Sequence, residues 1–350
     1  MDLIKRLDSL GYIGATPNGI TRVAGSPADE QAKLQVSEWM MGDGMDVRYD
    51  EHNNLIGRLP GLNPELPPIV VGSHIDTVVN GGKFDGAYGI IAGMEAAREL
   101  QGELNHPLEI VAFHDEEITM SGSRGYASDN PNIKSFVELH VEQGPVLEAV
   151  GIDLGVVTGV VGQRRVHFTV FGEPNHGGTT PMNMRDDALV KASKAVVRIN
   201  ELANLNGNIT ATVGVLTVSP NKFSIVPGRV DFTVQIRDTD STSMENFLQV
   251  IHEEFGFAYE VTESQEPIQC DPTLIDCIKE SATALDVPYM ELPSRAGHDA
   301  QVFFHCPMAM MFVPSRGGIS HSPLEYTSPN QCYTGLNVLI ETLRRIDTYE

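Results

Sequence analysis

The chain has 350 residues, of which 47 are acidic and 24 are basic, and its formal net charge is −23. This excess of negative charge argues against nucleic acid or an anionic membrane surface as a partner. With 41% hydrophobic and 20% charged residues, the composition is that of a globular protein long enough for two domains.

The first 60 residues predict two helices and a hairpin. The second helix begins at Pro27 and runs to about residue 41, with Ser26 placed to cap its N-terminus. Two short extended runs, 47–49 and 54–58, flank a polar turn and predict the hairpin. A proline-rich segment then leads into the stretch around which the chain is organised.

That stretch begins with residues 69–71, a β-branched run typical of a buried strand. His74 and Asp76 follow at its carboxyl end, where open α/β sheets place their active sites. A glycine-rich loop with Asp85 comes next, and then a helix. Imidazole and carboxylate together suit Zn, Mn or Co. We therefore predict His74 and Asp85 as metal ligands and Asp76 as the carboxylate that orients the His74 ring; the alternative is a turn-rich loop with an incidental histidine.

Three more predicted strand ends carry residues of the same types. The buried strand 108–114 runs into three consecutive acids, 136–141 ends near His140, and 308–313 precedes a loop with His321. Each signal alone has a simpler explanation, such as a solvated acidic turn or a histidine in the core. Their coincidence in one domain favours a site assembled from several strand ends.

The acidic run offers two different roles. Adjacent carboxylates in an extended segment point to opposite sides. We therefore predict that Glu117 binds metal and that Glu116 serves as the general base.

The candidate ligands are too many for one open tetrahedral site. They are His74, Asp85, Glu117, His140 and His321. If Asp85 bridges two metals, His74 and His140 complete one site, and Glu117 and His321 complete the other. Two such metals can activate a shared water, and the resulting hydroxide would attack the carbonyl carbon of an amide-type bond. We also expect a cis peptide bond after Asp85.

The pattern changes in the middle of the chain. Alternating and amphipathic segments predict the order β-α-β-β-α-β, a unit that can fold as its own domain. These segments are 165–171, 184–202, 209–218, 230–237, 244–255 and 257–262. Helix 272–285, strand 308–313 and helix 333–348 then return to the first pattern. We therefore predict an α/β catalytic domain from 1–158 and 268–350, with an inserted domain at 159–267.

The four cysteines have no CxxC spacing, and we interpret them as free thiols. They are Cys270, Cys277, Cys306 and Cys332. We find no signal-peptide pattern and no apolar run of 18 residues, which favours a cytoplasmic protein.

Seven motifs, in this order, resemble the family of N-carbamoyl-L-amino-acid hydrolases, β-ureidopropionases and allantoate amidohydrolases, within the dinuclear zinc aminoacylase and exopeptidase superfamily. The motifs are 72–77 (GSHIDT), 81–86 (GGKFDG), 116–117 (EE), 140–145 (HVEQGP), 175–182 (NHGGTTPM), 297–300 (GHDA) and 318–323 (GISHSP). The resemblance covers nearly the whole chain.

The resemblance implies a dinuclear-metal exopeptidase-like catalytic domain with an inserted lid and dimerisation domain. It implies the same metal ligands and Glu116 as base, with two divalent ions per chain (Zn, or Mn, Co or Ni). It also implies a homodimer in which a histidine of the inserted domain stabilises the oxyanion of the partner's site. The substrate-binding residues it implies are Gln143, His176, Ser224, Arg237 and His298.

Two departures bear on the substrate. Ser224 replaces the family's asparagine, which holds the carboxyl end of the substrate, and residues 118–121 remodel one wall of the pocket. The favoured function is cleavage of the C–N bond of an N-carbamoyl (ureido) amino acid or an allantoate-like ureido acid. The alternatives are an aminoacylase or dipeptidase of the same superfamily, and a non-catalytic binding protein on this scaffold.

Overall fold

The structure is a computed structural model that describes residues 2–349. The helices are α1 (Leu3–Gly11), α2 (Pro27–Gly42), α3 (Ala87–Glu99), α4 (Ser121–Asp129), α5 (Val146–Val150), α6 (Ala188–Leu205), α7 (Ser241–Phe255), α8 (Pro272–Ala284) and α9 (Pro329–Thr348). The strands are β1 (Ala15–Thr16), β2 (Gly19–Ile20), β3 (Asp46–Tyr49), β4 (Leu55–Leu59), β5 (Ile69–His74), β6 (Leu108–Phe113), β7 (Ser135–Val141), β8 (Leu154–Val160), β9 (Gly162–Phe171), β10 (Asn175–His176), β11 (Thr210–Ser219), β12 (Ile225–Val226), β13 (Arg229–Asp238), β14 (Ala258–Gln265), β15 (Ile268–Gln269), β16 (Tyr289–Ser294) and β17 (Met308–Val313).

The chain divides into two compact units. We call the segment Val160–Ile268 the inserted unit, and the rest, up to Gly159 and from Gln269 onward, the outer unit. The chain passes between the two units twice, and the two passing segments lie next to each other in each unit. In the outer unit the Cys270 amide donates to the Thr158 carbonyl at 3.0 Å. In the inserted unit Gln163 of β9 lies opposite Gln265 of β14.

A mixed sheet forms the centre of the outer unit. Its strands lie in the order β15-β8-β17-β7-β5-β6-β4-β3, and β16 pairs with β8. The four strands β17, β7, β5 and β6 are parallel. Every residue of these four strands is buried, because helices such as α3 and α9 pack on the sheet. Their carboxyl ends therefore meet at one edge of the sheet.

The inserted unit is a four-stranded antiparallel sheet in the order β11-β13-β9-β14. Along β9, Val166, Phe168 and Val170 are buried while the residues between them are not. This alternation places one face of the sheet against α6 and α7, which cover the second hydrophobic core. The α/β class and central sheet expected from the sequence are confirmed.

Several helix and strand bounds differ from expectation. Helix α6 begins at Ala188 rather than at residue 184, because the Asp187 carboxylate accepts hydrogen bonds from the amides of Leu189 and Val190. Helix α9 begins at Pro329, four residues before the predicted start at residue 333, because Ser328 forms a capping box there. Strands β8 and β16 were not predicted; Pro293 inside β16 makes that segment resemble a non-strand segment.

Among the described residues, no helix is both long and apolar enough to cross a membrane.

Candidate metal centre

The parallel strands bring the predicted ligands together at one edge of the sheet. His74 is the last residue of β5, and His140 lies next to the end of β7. The acidic run that contains Glu117 follows β6, and the loop with His321 follows β17. Asp85 lies just before α3, on the loop after β5. The carboxyl ends of four parallel strands, with the loops that follow them, thus converge on one small volume.

His74, Asp85 and His140 form the first ligand group, and all three are buried. The Nε2 atoms of His74 and His140 lie 3.5 and 3.3 Å from Oδ1 of Asp85. Two ligand atoms bound at about 2.1 Å to one tetrahedral ion are about 3.4 Å apart. Both distances to Asp85 therefore match the spacing of two ligands on one shared ion.

Asp85, Glu117 and His321 form the second ligand group. Nε2 of His321 lies 3.2 Å from the other Asp85 oxygen, Oδ2, and 3.4 Å from Oε2 of Glu117. His321 is half exposed, and its φ is 52°, in the left-handed region. The two groups share Asp85 and use one of its oxygens each, which is the arrangement of a carboxylate that bridges two ions.

Hydrogen bonds indicate which nitrogen of His74 and of His140 faces the candidate metal site. Nδ1 of His74 donates to the Asp76 carbonyl at 3.1 Å, and Nδ1 of His140 donates to the Val141 carbonyl at 2.9 Å. In the neutral ring the lone pair is then on Nε2, the atom that faces Asp85, and in His140 this atom also accepts from the Gly86 amide at 3.0 Å. A cation between Nε2 and the Asp85 carboxylate, either a proton or a metal ion, would offset the repulsion between a lone pair and a carboxylate oxygen. The imidazole and carboxylate donors therefore fit divalent metal ions.

The electrostatic surroundings of His74 also favour a bound cation. Burial alone would lower the pKa of His74, but the carboxylates of Glu116 and Asp85 outweigh it and raise that pKa well above its usual range. Surroundings that favour a proton on His74 also favour a metal cation at the same place.

Glu116 lies beside the first group without belonging to either. Its Oε2 atom is 3.6 Å from Nε2 of His74, and its side chain is buried. Burial raises the pKa of Glu116 well above its usual range; His74 opposes this effect, and the nearby Asp299 and Glu117 add to it. A carboxyl group with a raised pKa is a stronger base than an exposed glutamate, and it can accept a proton and return it.

Asp76 occupies the expected place but makes a different contact. Its carboxylate Oδ1 is 3.6 Å from Nδ1 of His74, whereas its main-chain carbonyl is only 3.1 Å away. The other carboxylate oxygen accepts from the Glu117 amide at 3.4 Å. The carbonyl rather than the carboxylate therefore orients the His74 ring in this structure, and the carboxylate connects the loops after β5 and β6.

The expected cis peptide bond after Asp85 is wrong. In the described residues the cis peptide bonds are confined to Ser219–Pro220. Gly86 makes the turn instead, with a φ of 62° that glycine adopts without strain. A Cβ atom at this position would overlap the His74 ring, so the turn also needs glycine for space.

Two predicted substrate residues also lie at this edge of the sheet. Gln143 has a φ of 58°, and its Nε2 donates to Oδ2 of Asp85 at 2.9 Å. His298 is buried, and its ring lies edge-on to that of His140 with 4.7 Å between centroids. Burial and the neighbouring His140 lower the pKa of His298 well below its usual range, so that its ring is neutral.

Sequence reasoning missed a buried glutamate behind the ligands. Glu138 lies on the same face of β7 as His140, and it accepts from the hydroxyl of Ser73 at 3.2 Å and the amide of Ala300 at 2.9 Å. It thereby joins the strand before His74 to the segment after His298. A glutamate flanked by Val137 and Leu139 within a buried strand was the signal that could have revealed it.

The remaining predicted residues lie in the inserted unit. His176 and Ser224 are neighbours there, because β10 pairs with β12 and the Gly177 amide donates to the Ser224 carbonyl at 2.7 Å. Nδ1 of exposed His176 accepts from two amides, at 3.0 and 3.1 Å, so its Nε2 carries the proton and can donate. Arg237 is half-buried near the end of β13, opposite Gln163.

Comparison with known proteins agrees with these observations. The N-carbamoyl-L-amino-acid amidohydrolase of Paenarthrobacter aurescens is 35% identical, over 98% of this chain and 97% of the relative. The allantoate amidohydrolase of Bacillus subtilis is 36% identical, over 96% and 94%. A crystal structure of an amidase of the hydantoinase/carbamoylase family from Burkholderia multivorans superposes with a TM-score of 0.89 at 31% identity, over 99% of this chain and 97% of that one.

The resemblance that the motifs predicted is confirmed by these relatives. A family model described as Peptidase family M20/M25/M40 matches residues 70–345, which include all five candidate metal ligands. The chain belongs to peptidase family M20/M25/M40.

Proposed function

We propose that this protein is a metal-dependent amidohydrolase that cleaves the C–N bond of an N-carbamoyl amino acid or an allantoate-like ureido acid. The observation that carries the proposal is the pair of ligand groups that share Asp85, with Glu116 beside them. The names of the full-length relatives support the ureido substrate. Four free cysteines, three of them buried, suit a reducing compartment and support a cytoplasmic location.

The proposed cofactor is two divalent ions per chain, Zn²⁺ or else Mn²⁺, Co²⁺ or Ni²⁺. His74, Asp85 and His140 would hold one ion, and Asp85, Glu117 and His321 the other. Bound there, the ions would polarise a water molecule and the carbonyl oxygen of the substrate.

The protein's own residues supply the proton transfers. Glu116 takes a proton from the attacking water as the water oxygen bonds to the carbonyl carbon. It then gives that proton to the nitrogen that leaves when the C–N bond breaks. An N-carbamoyl amino acid would yield the free amino acid and carbamate, which decays to ammonia and carbon dioxide.

The residues proposed to bind the substrate differ in the groups they offer. Gln143 and His298 are buried or half-buried polar groups at the ligand edge, and Arg237 offers a planar fork suited to a carboxylate. Ser224, next to His176, stands in place of an amide side chain, so we propose a weaker hold on the carboxyl end of the substrate there.

A substrate screen tests this function. We expect the metal-loaded enzyme to release ammonia from N-carbamoyl amino acids or allantoate far faster than it releases amino acids from N-acetyl amino acids or dipeptides. Carboxamide analogues, which Arg237 cannot grip as a bidentate pair, should be poor substrates, and Arg237→Lys should not restore parental activity on the carboxylates. Preferred cleavage of acetyl or dipeptide substrates would instead identify an aminoacylase or dipeptidase.

We further propose a homodimer formed through the inserted unit. In the described residues β11 pairs with β13 on one side only, and it exposes apolar side chains such as Val215, which is 60% accessible. Helix α6 likewise exposes Val190 and Val197. An open strand edge and an apolar surface beside it favour pairing with a second copy about a two-fold axis. In that dimer His176 would donate from Nε2 to the oxyanion in the partner's site.

A mixing experiment tests the role of His176. Glu116→Gln and His176→Ala chains should each be nearly inactive, since loss of one oxyanion donor costs about 10²–10³-fold. Half of randomly paired dimers would be mixed, and each would contain one intact site. Co-refolded mixtures should therefore recover up to roughly a quarter of parental activity. Proven subunit exchange without recovery would exclude donation across the dimer.

A further inference from the structure

The backbone of Asp85 is held by a side chain distant in sequence. The Glu325 carboxylate is only 6% exposed, and its Oε2 atom accepts from the amides of Phe84 at 3.0 Å and Asp85 at 3.4 Å. Glu325 lies four residues after His321. It therefore ties the turn that carries one candidate ligand to the loop that carries another.

A serine on the same loop holds the Asp85 side chain. The hydroxyl of Ser320 is 3.0 Å from Oδ2 of Asp85 and 3.4 Å from Oε1 of Glu325. A hydroxyl has one proton, and the shorter distance assigns it to Asp85. The main chain of Asp85 is thus fixed by Glu325, and its carboxylate is held by Ser320 together with Gln143.

The facing turn leaves room for this carboxylate. A Cβ atom at Gly82 would overlap both the carboxylate and the Cβ atom of Glu325. Glycine at this position is therefore a spatial requirement of the Glu325 contact. Glu325 itself belongs to neither ligand group that contains Asp85.

We propose that Glu325 is a positioning residue that sets Asp85 relative to His321, so that both metal sites depend on a side chain that binds neither ion. The inference rests on the two-metal function proposed above. Its physical basis is that a shared ligand must keep both carboxylate oxygens within tenths of an ångström of their places. Rotation of the Asp85 turn would withdraw one oxygen from each ion at once.

The first test is a metal titration of Glu325→Ala and Glu325→Gln. With Zn²⁺ as the probe and a chromophoric chelator as competitor, we expect Glu325→Ala to bind both ions about 10- to 100-fold more weakly than the parent protein. Glutamine should restore near-parental affinity, because its amide oxygen can accept from the two amides and its NH₂ group can donate to Ser320. The absorption spectrum of the Co²⁺ form should change in the alanine variant only.

Two further variants separate positioning from general stability. Gly82→Ala should reproduce the weaker binding of Glu325→Ala by displacing the carboxylate, and it serves equally well if Glu325→Ala does not fold. Asp347→Ala is the matched control. The Asp347 carboxylate accepts from the amides of Asn105 and His106 at 2.9 and 2.8 Å, just before β6 begins and so at the opposite edge of the sheet. This variant should lower the melting temperature but leave Zn²⁺ affinity unchanged.

The outcomes distinguish this inference from the proposed function. Two Zn²⁺ ions bound by the parent and, with equal affinity, by Glu325→Ala or by Gly82→Ala would overturn the positioning role and leave the function standing. Fewer than two ions bound by an active parent would overturn both. Weaker binding by Asp347→Ala of the same size would show that loss of any buried clamp has this effect and would also overturn the inference.

Discussion

Replacing Asp85 with alanine should release both metal ions and remove measurable hydrolysis. One carboxylate oxygen lies 3.3 Å from His140, and the other lies 3.2 Å from His321, so each ligand group loses its shared member. Supporting residues around metal sites cost about 10- to 100-fold in affinity when they are removed, and loss of a direct ligand to both ions should exceed this range. Elemental analysis of the purified variant, together with Zn²⁺ titration, measures the effect.

Single-site variants provide the comparison for Asp85→Ala. Of the two ligand groups that share Asp85, His140→Ala and Glu117→Ala each remove a member of one, so each should weaken one ion and largely retain the other. Asp8→Ala is the control, since this half-exposed carboxylate pairs with Lys83 on the surface and should keep both ions. A fully active parent preparation with one metal or fewer per chain would contradict the bridged arrangement.

Replacing Glu116 with glutamine should lower kcat by at least about 100-fold while both metal ions remain bound. Glutamine keeps the size and shape of the side chain but cannot accept the proton from water. Because a general base works only when it is deprotonated, activity of the parent should fall as the pH falls through the pKa of Glu116. The raised pKa places that loss at a higher pH than for an exposed glutamate.

A second buried glutamate serves as the control for Glu116→Gln. Glu109 on β6 accepts hydrogen bonds from Arg58 at 2.8 Å and from the hydroxyl of Tyr126. Glu109→Gln removes one buried negative charge from the same unit but should retain kcat. Near-parental turnover by Glu116→Gln, with two ions bound, would remove the proton-transfer assignment.

The ligand cluster was predictable because it follows from strand direction. His74, Glu117, His140 and His321 each lie at or after the carboxyl end of a parallel strand, and parallel strands end at one edge of a sheet. Residue type then selects the chemistry, since imidazole and carboxylate leave few alternatives once they are neighbours. The assignment of Asp85 to both groups was also accessible, because five ligands are too many for one site.

The groups that support the ligands were not predictable from local pattern. Glu325 follows Pro323 and Leu324 in an ordinary loop, and its partners at Phe84 and Asp85 lie about 240 residues away in the chain. Contacts of this kind depend on which loops meet in space. Nδ1 of His74 bonds to the Asp76 carbonyl at 3.1 Å rather than to the carboxylate at 3.6 Å. Sequence periodicity does not encode so small a difference in distance.

The paired strands at the junction make the two units exchangeable at the level of the gene. Thr158 and Cys270 are hydrogen-bonded neighbours in the outer unit, and Gln163 and Gln265 face each other in the inserted one. Each unit therefore receives the chain and returns it at a single place, so recombination at these two points would leave both hydrophobic cores whole. All five candidate metal ligands lie in the outer unit, whereas His176, Ser224 and Arg237 lie in the inserted unit. If His176, Ser224 and Arg237 act as proposed, a lineage could acquire a new substrate by inheriting the inserted unit of a relative that keeps His176, while its own metal ligands and Glu116 stay unchanged.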